Sequence, residues 1–279
     1  MRVQASFRMR GFTLTELAIV LAIVAFLLGG LLYTLSAQTD QRNFEETRRR
    51  LDLARELILS FAVVNGRLPC PARSAATSAP VTVAGDEVVT TATGCIGDGV
   101  TDNYGGTSSG VTLGLLPARA IGFQQVDSSG FAIDAWGNRI RYAVAKTITG
   151  CSGSSTTPHF VNATNLKTNG ISCQPSDLLI CKSATGITAT SCGGAANQIM
   201  SQTLVTAIIF STGKNGGTAT GGTGADEAAN LDGAGATNPI FVFHTPTPST
   251  ATNGEFDDQF TWISVGELYG KLISAGVLP

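Results

Sequence analysis

An apolar tract carrying a single charge constrains this chain more than any other feature. The stretch "RMRGFTLTELAIVLAIVAFLLGG" continues through "LLYTL", so residues 12–35 hold one charged side chain, Glu16. About 24 residues at a rise of 1.5 Å can cross a hydrocarbon layer of roughly 30 Å, and they exceed the apolar region of a secretory signal, about 7–15 residues. A carboxylate in hydrocarbon costs several kcal/mol unless it is neutralised or paired, so Glu16 needs a partner. Arg2, Arg8 and Arg10 precede the tract. Positive flanks stay on the cytoplasmic side, which leaves residues 1–11 there and sends the remainder outward. Residues 40–56 balance Asp40, Glu45, Glu46, Asp52 and Glu56 against Arg42, Arg48, Arg49, Arg50 and Arg55, and so offer no competing retention signal.

At 279 residues, with 43% apolar and 14% charged side chains, the chain can bury a sizeable core as one large domain or two small ones. Without the three arginines of residues 1–11 the formal net charge of −2 becomes −5, which argues against a nucleic-acid partner. The six cysteines, Cys70, Cys95, Cys151, Cys173, Cys181 and Cys192, all lie beyond the tract. An even number in an exported region reads as disulfides, and no paired C-x-x-C suggests zinc. Three bridges between sequence neighbours are expected, Cys70–Cys95 and Cys181–Cys192 foremost, although sequence leaves the connectivity open.

The stretch "GFTLTEL" resembles the class III leader junction of type IV pilins and type II secretion pseudopilins. That junction has a short basic leader, a glycine, an aromatic first mature residue and a glutamate five residues into the mature chain; here these are Gly11, Phe12 and Glu16. The resemblance implies cleavage between Gly11 and Phe12 by a prepilin peptidase, N-methylation of the Phe12 amine, and pairing of Glu16 with the N-terminal amine of a neighbouring subunit. It implies a single-pass protein of the bacterial inner membrane with its head in the periplasm. Other pilin or pseudopilin subunits and an inner-membrane assembly platform are then its partners, and a pilus or a periplasmic pseudopilus its destination. Opposite charges about 4 Å apart attract by about 4 kcal/mol at an effective dielectric of 20, and removing one member of a buried pair costs roughly 3–5 kcal/mol. The plainer alternative is a signal anchor whose Glu snorkels.

Past the apolar tract, periodicity predicts that the helix continues over residues 36–65. Leu51, Ala54, Ile58 and Phe61, flanked by Leu57 and Val64, recur at spacings of three and four and define a face to bury against a sheet. The opposite face carries the Arg/Glu set, with Glu46–Arg50 and Asp52–Arg55 at neighbour spacing, and reads as a solvated surface. In "NGRLPCPA", Gly66 suits a left-handed cap while Pro69 and Pro71 forbid continuation. Residues 66–279 then form the head. A loop rich in Ala, Thr, Ser and Gly fills residues 73–110, and "DAWGNRIRYAV" sets a buried Trp136 over a Gly-Asn turn before a strand at residues 140–144. That turn also resembles one in pseudopilin heads. Further strands are predicted at residues 205–211, 240–244 and 260–264, and a short helix in the tail "VGELYGKLISAGVLP". Strands without intervening 10–15-residue helices argue for an antiparallel sheet over the long helix, an α+β, ladle-like fold. Residues 212–254, dominated by Gly, Thr, Ala and Asn, read as a surface excursion with little regular structure.

Catalytic patterns are poor. His159 and His244 are isolated, neither H-E-x-x-H nor G-x-S-x-G occurs, and Ser211 with Lys214 fits S-x-x-K only at a strand end. No enzyme activity is expected. Hard cations such as calcium need converging oxygens, which Asp98 and Asp102 in "GDGVTDNYGG" and Glu255, Asp257 and Asp258 in "GEFDDQF" offer. Some pseudopilins bind calcium near the C-terminus, a resemblance that favours the second group; turn acids capping backbone N–H groups are the plainer reading. The expected function is thus a pilin-like structural subunit, and a head of this size with three bridges suits a minor or tip subunit. The rivals are a monomeric membrane-anchored periplasmic binding protein and an exported hydrolase.

Overall fold

The computed structural model describes residues 13–74, 84–88, 90–91, 94–95, 106–108, 111–146, 148–151, 159–188, 190–218, 221–231 and 239–278, without the side chains of 28–37, 90–91, 94, 106–108 and 111–113. The chain divides into two compact units, Met1–Phe44 and Glu45–Pro279. Helix α1 runs Leu14–Asn65. Its end follows the expected chemistry, with Gly66 at φ +67° and the two prolines beyond.

In the second unit α1 buries Thr47, Leu51, Ala54, Ile58, Leu59 and Ala62. This face is turned from the predicted one: Phe61 is half-buried and Val64 is 83% exposed. Each step of three falls about 60° short of a full turn, so the run 58, 61, 64 drifts off the stripe that 47, 51, 54, 58 and 62 maintain. The charged set differs as well. Asp52 and Arg55 do not pair; Arg55 instead places Nη2 2.6 Å from the Glu267 carboxylate and donates from Nε to the Trp262 carbonyl at 3.1 Å. Arg50 keeps Glu46 at 3.0 Å but also donates from Nη1 to the carbonyls of Ile133 and Asp134, at 3.1 and 2.7 Å. A charged donor on a partly buried acceptor is worth about 1.5–3 kcal/mol against a few tenths for an exposed helical pair, so part of the presumed solvated face is a clamp.

Among the described residues the strands are β1 (Thr90–Thr91), β2 (Gly94–Cys95), β3 (Gly106–Ser108), β4 (Val111–Leu113), β5 (Arg141–Val144), β6 (Ile148–Thr149), β7 (Gln174–Pro175), β8 (Leu179–Cys181), β9 (Gln198–Met200), β10 (Val205–Ser211), β11 (Ile240–Val242) and β12 (Gln259–Ser264). The shorter helices are α2 (Ala118–Ile121), α3 (Ala163–Asn169), α4 (Ala225–Leu231) and α5 (Val265–Ser274). The main sheet is antiparallel in the order β12-β10-β5, with Ile208 opposite both Trp262 and Ala143. Every residue of β10 is buried, which explains why it reads as a continuous apolar run rather than an alternation. A second sheet, β11-β8-β9, departs from the all-antiparallel expectation, because β11 pairs parallel with β8. A parallel neighbour needs a long crossover, and the chain between Cys181 and Ile240 supplies one that includes β9, β10 and α4. Residues 212–254 are therefore not structureless. They contain α4 and β11, and α4 buries Asp226, Glu227, Asn230 and Leu231.

Phe210 packs between the sheets, stacked on Phe260 at 4.8 Å and edge-on to Phe241 at 5.6 Å. The turn at "DAWGN" forms with Gly137 at φ +89°, but Trp136 is only half-buried. Asp134 is the buried group there: its Oδ1 accepts from the Trp136 and Asn138 amides at 2.9 and 2.8 Å, and its Oδ2 from Ser211 Oγ at 2.6 Å. Burial pushes its carboxyl pKa up in spite of those donors. The cysteines form Cys70–Cys95, Cys151–Cys173 and Cys181–Cys192, closing separations of 25, 22 and 11 residues.

A buried relay joins His159 to α5. The Tyr269 hydroxyl donates its one proton to the Cys173 carbonyl, so His159 Nε2, 3.0 Å away, must be the donor to Tyr269. His159 Nδ1 is left as a bare, buried acceptor. Burial lowers the His159 pKa from 6.5 to about 4. A depressed imidazole stabilises the fold fully above its unfolded pKa and loses that contribution as pH falls from about 6.5 toward about 4, by at most about 1.4 kcal/mol per pH unit. In thermal unfolding between pH 7 and 4.5, His159→Gln is expected to show a shallower acid decline than the parent protein; coincident declines would refute this assignment.

Candidate functional site

The first unit presents the helix start. Thr13 and Glu16 form a reciprocal cap: the Thr13 amide and hydroxyl donate to Glu16 Oε2 at 2.9 and 2.8 Å, and the Glu16 amide donates to Thr13 Oγ1 at 3.3 Å. This is a capping box, the Thr-x-x-Glu pattern that satisfies orphan N–H groups at a helix N-terminus. The signal for it is local, the run "TLTE" at residues 13–16. Within one chain, then, the partner of Glu16 is Thr13, while Oε1 takes no hydrogen bond from a described residue. Gly11 and Phe12 lie outside the described residues. After the cap, Leu14, Leu17, Ile19, Val20, Leu21, Ile23, Val24, Phe26 and Leu27 are all exposed, from 43% at Val24 to 85% at Leu14 and Phe26. Those positions surround the helix rather than forming a stripe, and a helix apolar on all sides needs lipid or other protein around it. Among the described residues no helix is long and apolar enough to cross a membrane.

The second unit gathers three buried carboxylates. Glu227, Asp257 and Asp258 each bring a carboxylate oxygen within 4.8 Å of those of the other two. Helix α4 supplies Glu227, which is fully buried, and the turn before β12 supplies the two aspartates, 6% and 2% exposed. Glu227 accepts the Thr223, Gly224 and Asp257 amides at 2.9, 3.0 and 3.0 Å, and the Asn215 carboxamide at 3.1 Å. Asp257 Oδ2 accepts the Lys214 and Asn215 amides at 3.0 and 3.3 Å, and Asp258 Oδ2 accepts Asn230 Nδ2 at 2.7 Å. The remaining Oδ1 of each aspartate and Oδ1 of Asn215 are buried without a hydrogen-bond partner. Burial first, then the Glu227 charge, pushes the Asp257 pKa up to about 7; burial drives Asp258 well up too.

This placement revises the calcium candidates. Asp257 and Asp258 come together, but their companion is Glu227 and not Glu255. Asp98 and Asp102 lie outside the described residues. No local signal marked Glu227: it is 30 residues from Asp257, in a stretch of Gly, Thr and Ala. Its one clue was its position three residues after Gly224, where a Glu can cap the start of a helix. His244 Nε2 lies 3.1 Å from Asp226 Oδ2, and Ser211 Oγ donates to Asp134 Oδ2 at 2.6 Å.

Residues 6–32 match the family model described as the prokaryotic N-terminal methylation motif. The chain therefore carries a class III prepilin signal, and this supports a type IV pilin-like or pseudopilin protein, processed by a prepilin peptidase and assembled with other pilin subunits. No curated protein and no solved structure matches the chain.

Proposed function

We propose that the chain is a structural, non-catalytic filament subunit, a minor or tip component of a type IV pilus or of a type II secretion pseudopilus. The observation that carries this reading is the apolar, all-round exposed helix behind a single carboxylate, within the residues that match the N-terminal methylation motif. The precursor is held across the inner membrane by residues 12–35 with residues 1–11 in the cytoplasm and the head in the periplasm. Cleavage after Gly11 frees the Phe12 amine, which is methylated. An assembly platform then moves the subunit out of the bilayer. Its helix passes from lipid to the equally apolar interior of a helical bundle, so the transfer costs little, and close packing with the charge pair supplies the gain. The Glu16 cap supports this step: one carboxylate oxygen is fixed by Thr13, which aims the side chain and leaves the other oxygen for the incoming amine of a neighbour.

N-terminal mass spectrometry of the protein from its native host tests the proposal. A mature chain starting at N-methylated Phe12 is expected. An intact Met1, or a terminus elsewhere, would make the chain an ordinary anchored protein.

A further inference from the structure

The three bridges differ in what can reach them. All six cysteines lie among the described residues, and five are buried, the most open of these being Cys95 at 6% exposure; Cys151 is the sixth and is partly exposed. Cys151 also lines a cleft of about 580 Å³ together with Gly150, Thr168, Asn169 and Ser172. That volume falls within the roughly 300–1,000 Å³ of ordinary small-molecule sites, and none of the five lining residues is charged. Glycine keeps one wall open. Gly150 has φ +83°, and a Cβ there would stand 3.0 Å from the Ser172 carbonyl oxygen. The other half of the bridge faces inward. Cys173 is 0% exposed, and its carbonyl accepts the Tyr269 hydroxyl of α5. Besides the bridge, the strand that follows Cys173 is held to β6 by two residue pairs, Ile148–Pro175 and Thr149–Gln174, and by Asp177 Oδ2, which accepts the Lys146 amide at 2.7 Å.

We propose that Cys151–Cys173 is a thiol-exchange site, opened by a small thiol that enters the cleft and attacks Cys151 Sγ, and that its opening loosens the docking of α5. A thiolate attacks only a sulfur that it can reach, so access selects Cys151 over Cys173 and this bridge over the other two. The incoming thiolate bonds to Cys151 Sγ and the S–S bond breaks. Cys173 Sγ leaves with the electron pair and takes up the proton that the attacking thiol released. A second small thiolate then attacks the small-molecule sulfur of the mixed disulfide, and Cys151 leaves as a thiolate and is protonated. Two electrons have passed to the bridge: the protein ends with two thiols and the two small thiols end as their disulfide. What remains to hold the Tyr269 acceptor in place is the two-pair ladder and the Asp177 contact. Helix α5 thereby loses a fixed anchor on one side, while its Arg55–Glu267 contact with α1 stays.

The test uses the full-length protein in detergent at neutral pH, with reduced glutathione as the small thiol. Free thiols are trapped with iodoacetamide, and peptides are read by mass spectrometry without further reduction. Glutathione should be found on Cys151 with the trap on Cys173, at least about ten times as often as any adduct at Cys70, Cys95, Cys181 or Cys192. With the bridge fully reduced, hydrogen exchange in peptides covering α5 should be at least about tenfold faster, and exchange in β10 unchanged. Simultaneous opening of all three bridges would mean that reduction follows global unfolding, and would overturn the site. An adduct on Cys173 would place the attack on the wrong sulfur. Resistance of the bridge to glutathione would leave it a structural staple, and unaltered exchange in α5 after reduction would refute the coupling. None of these results bears on whether Phe12 is freed and methylated, so this inference and the filament reading fail separately.

Discussion

Glu16→Gln is expected to abolish filament formation as fully as Glu16→Ala, while keeping the helix start intact. The two roles open to this side chain make different demands. A capping box accepts Gln as well as Glu, and a cap is worth about 0.5–2 kcal/mol. Pairing with an amine in apolar surroundings requires the charge, and losing one member of such a pair costs roughly 3–5 kcal/mol, a factor of more than a hundred in docking equilibrium. Sheared filaments and membrane fractions of each variant can be compared by immunoblot, with N-terminal mass spectrometry to confirm that Phe12 is still freed and methylated. Gln assembling like the parent while Ala fails would make Glu16 a cap and nothing more. Assembly by both would remove it from the mechanism.

Phe210→Ala is expected to cost the head about 3–5 kcal/mol, the usual range for truncating a buried aromatic. Phe210 is 1% exposed on the fully buried central strand and touches Phe260 and Phe241, one on each sheet. Deleting the ring leaves a void where the two sheets meet, and neither neighbour can collapse into it without leaving its own strand. For a protein of this size the cost corresponds to a fall of roughly 6–20 °C in unfolding temperature. A drop below about 3 °C would mean that the sheets do not depend on this contact. By contrast Val64→Ala, on the exposed side of α1, should change stability by less than about 0.5 kcal/mol.

What could be read from the sequence divides along a physical line. The end of α1 at Asn65 was legible because glycine and proline chemistry is local, and β10 because a dense apolar run between turn residues admits few alternatives. The prepilin motif was legible because it is a linear pattern, carried by consecutive residues along the chain. The Thr13 cap is equally local, a Thr-x-x-Glu pattern four residues long in which the same Glu16 charge also suits a second molecule. Glu227 was of another kind. Its meaning depends on a turn 30 residues later, and nothing in Gly-rich composition signals that a chain will fold back on two aspartates. Arg55 was misassigned for the same reason, since the sequence offered Asp52 nearby while the fold offered Glu267.

The three bridges share a property that bears on how the molecule is made. Each joins a cysteine to the next one in the chain, across 25, 22 and 11 residues. In a polypeptide exported from N to C into an oxidising compartment, as proposed for this chain, each thiol would meet its proper mate before any competitor arrived. Maturation of the head thus needs an oxidant but no reshuffling step, and a subunit delayed halfway through export carries no wrong linkage to undo.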